Sequence, residues 1–225
     1  KAIINEMKPL VAGADCKVVL CVPFIDIPAA VEAAKGKDAA ILFIGLTEEF
    51  ESEGFDRRHL GIPALHSKLV DAVTAVNPNV IVAISGGAVI EMPWAGKVKG
   101  ILNSILGGEA TGSATADILF GDVNPSGKLA ETYPFKLEDT PCYDYFPGNT
   151  TTVEYREGIY IGYRYYDTAK KDVRYPFGFG LSYTEFEYSD LVVEKLGKTD
   201  VKVKLNVKNI GDTDGDEVVQ IYIED

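Results

Sequence analysis

Four glutamates within six residues, at 48, 49, 51 and 53, are followed at once by Asp56 and Arg57. This is the stretch of the chain where side chains could move a proton. A carboxyl group works as a general acid when burial beside apolar surface, or a like charge close by, raises its pKa toward neutrality. Gly54 lets the backbone turn inside the cluster, and Phe50 and Phe55 offer apolar surface to the carboxyls. The plainer reading of such a charge run is a solvated face. On the residues alone both readings stand.

Other chemistries find less to work with. Ser85-Gly86-Gly87 follows an apolar run, but Gly-x-Ser-x-Gly is absent, and His59 and His66 are the chain's two histidines. Two histidines seven residues apart with no Cys-x-x-Cys give no metal-ligand set, so no metal is expected. There is no Gly-x-Gly-x-x-Gly and no phosphate loop, which leaves Gly86-Gly87 and Gly107-Gly108 as tight turns and calls for no cofactor. Cys16, Cys21 and Cys142 are an odd count and read as structural thiols rather than a disulfide framework.

The acidic cluster leaves an apolar run over 39–46, bounded by charged residues on both sides, which reads as a strand buried on both faces of a parallel sheet. Such sheets place ligands at the carboxyl ends of their strands. Further strands are expected over 18–22, 80–84 and 101–106. Helices are expected over 1–17, from Pro28 with Asp26 as its cap, along the stripe Leu65, Leu69, Val70, Val73 and Val76, and over 111–120. Strand–helix alternation of this kind predicts an α/β fold, an open and mostly parallel sheet sandwiched by helices.

From Gly121 the texture becomes irregular, with a dense tyrosine group (155, 160, 163, 165, 166) that predicts packing against a neighbouring surface; a sugar platform is the sharper alternative. From Thr184 the apolar residues alternate: Phe186 and Tyr188, then Val201, Val203, Leu205 and Val207, then Val218, Gln220 and Tyr222, with turn residues between. The expected division is an α/β domain over 1–135, a linking segment over 136–183 packed on it, and a truncated all-β module of the fibronectin type III kind over 184–225. About 40 residues are present where a sandwich takes about 100, so the last run, 217–223, is expected to lack a partner strand and to be open to association.

With a formal net charge of −12, the chain repels phosphate backbones, and no nucleic-acid partner is expected. Its longest apolar runs, about eight residues, are far too short to span a membrane, and no membrane partner is expected. No secretory signal is legible at Lys1-Ala2-Ile3-Ile4-Asn5, and Asn149-Thr150-Thr151 is a sequon short enough to arise by chance, so the compartment stays open.

Glu51-Ser52-Glu53-Gly54-Phe55-Asp56-Arg57 resembles the acid/base loop of glycoside hydrolase family 3, the β-glucosidases and β-xylosidases. The resemblance runs on, in order, through Gly86-Gly87 with Glu91-Met92-Pro93-Trp94, the run from Ala116 to Leu129, the run from Tyr155 to Tyr166, and Pro176-Phe177-Gly178-Phe179-Gly180-Leu181-Ser182-Tyr183-Thr184. His66, Gly108 and Ala130 depart from the family's usual Gln, Gln and Pro.

The resemblance implies the family's second, α/β sandwich domain, which lends a general acid/base to a separate (β/α)8 barrel that holds the nucleophilic Asp. No barrel is expected within this chain. It further implies retaining, exo-acting hydrolysis of terminal β-D-glucosyl residues from β-glycosides or short oligosaccharides, with the barrel of the same protein as partner and the isolated chain inactive. The alternatives are a β-xylosidase of the same family or a non-catalytic carbohydrate-binding or scaffold module. Glu53 aligns with the acid/base, and Glu51 is the fallback. Asp56 and Arg57 are expected to support the loop as an ion pair. Glu53 is expected to lie buried beside Phe50 and Phe55, with Glu51 near it.

Overall fold

The computed structural model describes residues 26–54 and 56–223. The helix expected over 1–17, the strand over 18–22, Cys16, Cys21 and Phe55 therefore lie outside the described residues. The chain forms two compact units: residues 26–116 with 131–177, and residues 117–130 with 178–223.

The first unit is a three-stranded parallel sheet with helices. Helix α1 (Ile27–Ala34) starts where the Asp26 carboxylate accepts a hydrogen bond from the Ala29 amide at 3.1 Å, with Pro28 in the first turn. Strand β1 (Ala40–Gly45) runs into the acidic cluster. Helix α2 (Ala64–Thr74) buries Leu69, Val70 and Val73 and leads back to strand β2 (Val80–Ser85). Strands β1 and β2 are parallel and in register from Ala40 opposite Val80 to Gly45 opposite Ser85. Strand β3 (Gly100–Asn103) pairs with the other side of β2, so β2 is central, and its Val80, Val82, Ala83 and Ile84 are buried. A strand covered on both faces needs a continuous apolar run rather than an alternating one, which is what 80–84 supplies.

The segment from β2 to β3 holds only a short 3₁₀ turn, Ala95–Lys97. Gly86, Gly87 and Pro93 oppose a helix there. Ile90, Met92 and Trp94 fill the space instead, all buried. Strand β3 stops earlier than the expected 106. The Asn103 side chain accepts the Ile105 amide at 3.3 Å, a local bond that competes with the ladder, and Ile105 turns to φ 48°. Helix α3 (Thr111–Phe120) occupies its expected span.

Asn77, 2 % exposed, fastens the frame at the amino ends of the strands. Its amide donates to the carbonyls of Ala34 at 3.0 Å and Lys37 at 2.9 Å, and its oxygen accepts the Asn79 amide at 2.8 Å. Asn77→Ala leaves two carbonyls and an amide without these partners. Because orphaning buried groups costs more than a hydrogen bond gains, the expected loss is about 2 kcal/mol. A denaturant titration reads it as a lower midpoint with an unchanged slope.

The tyrosine group divides. Helix α4 (Tyr163–Thr168) buries Tyr166 and sets the Tyr163 ring 5.0 Å from Phe177, whereas Tyr155 is 88 % exposed.

The second unit is built on an antiparallel pair, β4 (Phe186–Lys195) and β5 (Val201–Asn209), with a break in register between Ser189 and Val192 where Asp190 takes φ 54°. The third alternating run, Val218, Gln220 and Tyr222, forms no strand among the described residues. Gln220 donates its side-chain amide to the Gly178 carbonyl. The Gly-rich segments interlock within this unit. Asn124 accepts from the Ser182 hydroxyl and the Tyr183 amide and donates to the Asp214 carbonyl. Lys128 reaches both the Gly180 carbonyl (2.8 Å) and the Glu217 carboxylate (3.0 Å).

Candidate active site

The carboxyl ends of β1, β2 and β3 lie side by side, and the loops leaving them meet. The Leu46 amide donates to the Ser85 carbonyl at 2.9 Å, and the Gly86 amide to the Ile105 carbonyl at 3.1 Å. Gly45 makes this approach possible: a Cβ there would lie 2.0 Å from the Ser85 carbonyl oxygen. Behind it, the Gly45 amide donates to Nδ1 of His66 on α2 at 3.4 Å. Burial pushes the His66 imidazole below its usual value, and its hydrogen bond with Gly45 opposes that shift.

After β1 the chain turns, with the Phe50 and Glu51 amides both donating to the Thr47 carbonyl at 2.8 and 3.0 Å. This turn aims Glu51 across the sheet edge, where its Oε2 accepts the Gly87 amide at 2.9 Å. Gly54, at φ 95°, adopts a backbone conformation that L side chains rarely take. Glu53, just before it, is exposed, and its carboxylate makes no hydrogen bond or ion pair among the described residues. The loop closes on Arg57, which donates from Nη1 to the Val89 carbonyl at 2.9 Å and from Nη2 to the Gly61 carbonyl at 3.3 Å. Burial lowers the Arg57 pKa, and the nearby carboxylates of Glu51 and Glu91 oppose that shift.

Two expectations from the sequence need correcting. Asp56 and Arg57 form no ion pair: Asp56 is exposed, and the guanidinium is spent on two main-chain carbonyls. The half-buried Arg57 places its two Nη donors on desolvated carbonyls rather than on a carboxylate that keeps its water, and its Nε stays buried without a partner among the described residues. Glu53 is not buried beside Phe50 either. Glu53 is exposed, and the Phe50 ring meets His59 edge-on at 5.9 Å.

The structure also brings in residues that the sequence did not single out. Ile105 and Leu106, 49 % and 69 % exposed, form an apolar rim beside Gly87 and the acidic loop. A Cβ on Gly87 would lie 2.8 Å from Leu106 Cδ1 and 3.2 Å from Glu51 Oε1. The available signal was the pair of apolar residues directly before Gly107-Gly108, which a strand assignment over 101–106 absorbed. Among the described residues, no cluster of three or more His, Cys, Asp or Glu could hold a metal ion.

An exposed carboxylate on a loop pinned at both ends, beside an apolar rim at the carboxyl edge of a parallel sheet, can exchange a proton with a group presented to that edge. The model for the glycosyl hydrolase family 3 C-terminal domain matches residues 7–163. The chain is 51 % identical over 197 residues to thermostable β-glucosidase B of Acetivibrio thermocellus, a match covering 86 % of this chain and 26 % of that protein. It is 48 % identical over 195 residues to an exo-α-(1→6)-L-arabinopyranosidase of Bifidobacterium longum, with the same coverage of 86 % and 26 %. The crystal structure of a GH3 β-glucosidase from Bifidobacterium adolescentis superposes with a TM-score of 0.85 at 44 % identity, over 93 % of this chain and 32 % of that one. The chain thus spans about a quarter of the length of these curated relatives. It belongs to glycosyl hydrolase family 3, and residues 7–163 match that family's C-terminal domain.

Proposed function

We propose that this chain contributes the general acid/base, Glu53, to a retaining, exo-acting β-glucosidase whose nucleophile stands on a (β/α)8 barrel of the same protein. The observation that carries the reading is the contrast between neighbours: Glu51 is engaged by the Gly87 amide, while Glu53 is exposed and without a partner among the described residues. In the first step Glu53 protonates the departing glycosidic oxygen as the barrel carboxylate attacks the anomeric carbon. In the second it takes a proton from the water that releases the sugar. Retaining enzymes hold the two carboxyl groups about 5–5.5 Å apart, so the exposed Glu53 has to reach the sugar held by the barrel. The apolar cover that a general acid requires then comes from the docked barrel together with Ile105 and Leu106.

Terminal β-D-glucosides are the preferred substrate class because β-glucosidases recur among the relatives. The arabinopyranosidase relative, at 48 % identity, favours a second reading in which an α-L-arabinopyranoside is the substrate. Aryl glycosides of the two sugars, compared by kcat/KM in the complete protein, separate these readings. Residues 184–225 are assigned as the opening of a fibronectin type III-like module, supported by the antiparallel β4–β5 pair.

The division of labour has a direct test. The purified chain is expected to show no turnover of p-nitrophenyl β-D-glucoside, since it carries one of the two carboxylates. Turnover comparable to that of a complete family member would show that the chain holds its own nucleophile and would refute the proposal.

A further inference from the structure

Glu51 and Arg57 flank Glu53, two residues before it and four after, and both are fastened to the segment leaving β2. Glu51 Oε2 accepts from the Gly87 amide at 2.9 Å, and Arg57 Nη1 donates to the Val89 carbonyl at 2.9 Å. The anchor is itself held, because the preceding Gly86 amide donates to the Ile105 carbonyl at the exit of β3. Arg57 secures the far end of the loop through the Gly61 carbonyl, and the Glu51 and Glu91 charges favour its charged form. The Glu51 contact is close: a Cβ on Gly87 would lie 2.8 Å from Leu106 Cδ1, the tip of an exposed side chain that can swing aside, and 3.2 Å from Glu51 Oε1, which would have to give by a few tenths of an ångström.

We propose that Glu51 is a positioning residue: its carboxylate clamps the acid/base loop onto the Gly87 amide and so sets where Glu53 stands. This rests on the reading of Glu53 as the acid/base. A carboxylate accepting a main-chain amide is held as an acceptor, whereas proton donation to a leaving group needs a free carboxylic acid. Charge-assisted bonds of this type are the stronger ones and fix geometry well. Releasing the clamp frees the loop to sample positions away from the reacting bond, and a displacement of about 1 Å can cost about 100-fold in rate.

The test uses the complete protein with p-nitrophenyl β-D-glucoside, an activated substrate, and methyl β-D-glucoside, an unactivated one. Glu51→Ala is expected to lower kcat by about 10- to 100-fold on both substrates alike, with a smaller change in KM and no rescue by azide. Glu51→Gln keeps an oxygen that can accept from Gly87 and is expected to recover to within about fivefold of the parent. Gly87→Ala keeps the main-chain amide and only crowds the contact, so it is expected to lower kcat by less than Glu51→Ala does. Melting temperatures of all three variants separate a displaced loop from a damaged fold.

A Glu51→Ala kcat within twofold of the parent would overturn the clamp, while leaving Glu53 as the acid/base if Glu53→Ala is rescued by azide. Failure of Glu51→Gln to recover any activity would overturn it as well. Azide rescue of Glu51→Ala, with none for Glu53→Ala, would make Glu51 the acid/base and overturn both assignments.

Discussion

Replacing Glu53 by Ala in the complete protein is expected to lower turnover of unactivated β-glucosides by about 10²- to 10⁴-fold, the range that general acid/base catalysis contributes. At 1.36 kcal/mol per factor of ten, that is about 3–5 kcal/mol of transition-state stabilisation carried by one proton transfer. The loss should depend on the leaving group. A p-nitrophenolate departs without a proton, so its first step keeps most of its rate and the slow step becomes release of the sugar by water. An alkyl glycoside has no such escape and loses the first step itself. Equal loss on both substrates would instead indicate that the substitution moved the loop.

The second large effect concerns the frame. Gly45→Ala would place a Cβ 2.0 Å from the Ser85 carbonyl oxygen. That oxygen also accepts the Leu46 amide, so it cannot retreat without breaking the bond that closes the end of the β1–β2 pair. Overpacking of a well-packed site costs about 1–3 kcal/mol, and a clash with main chain falls at the upper end, about 3 kcal/mol or more. For a domain of this size a loss of about 3 kcal/mol lowers Tm by roughly 6–12 °C. The same shift would carry the acidic loop with it, because Leu46 begins that loop. A Gly45→Ala variant with an unchanged Tm would show that β1 does not approach β2 as closely as described.

The strands were readable in the sequence from their continuous apolar runs, although only β2 is buried almost throughout; β1, expected to be covered on both faces, buries Leu42 and Ile44 and leaves the rest half-buried. The runs over 39–46 and 80–84 became β1 and β2 nearly residue for residue, and Asp26 capped α1 as expected. The loop's membership was also legible, since its carboxylates lie next to one another in the chain. Its fastenings were not. Glu51 meets Gly87 across 36 residues and Arg57 meets Val89 across 32, both through main-chain groups that carry no side-chain identity. Charge complementarity between neighbours suggested an Asp56–Arg57 pair, but desolvated carbonyls competed better for the guanidinium. The run 218–222 was expected to lack a partner strand, and among the described residues it forms no strand, so its period-two alternation overstated its regularity. The Asn124 and Lys128 motifs, prominent in the sequence, tie segments of the second unit to one another.

The most direct measurement of the central claim is product analysis of Glu53→Ala turning over p-nitrophenyl β-D-glucoside in sodium azide. Azide needs no general base, so it can attack the glycosyl-enzyme that water no longer reaches efficiently. Because two displacements at the anomeric carbon restore the original configuration, the expected result is faster turnover with added azide and accumulation of β-D-glucosyl azide, identified by NMR. If turnover does not respond to azide and only glucose is formed, Glu53 is not the acid/base of this enzyme.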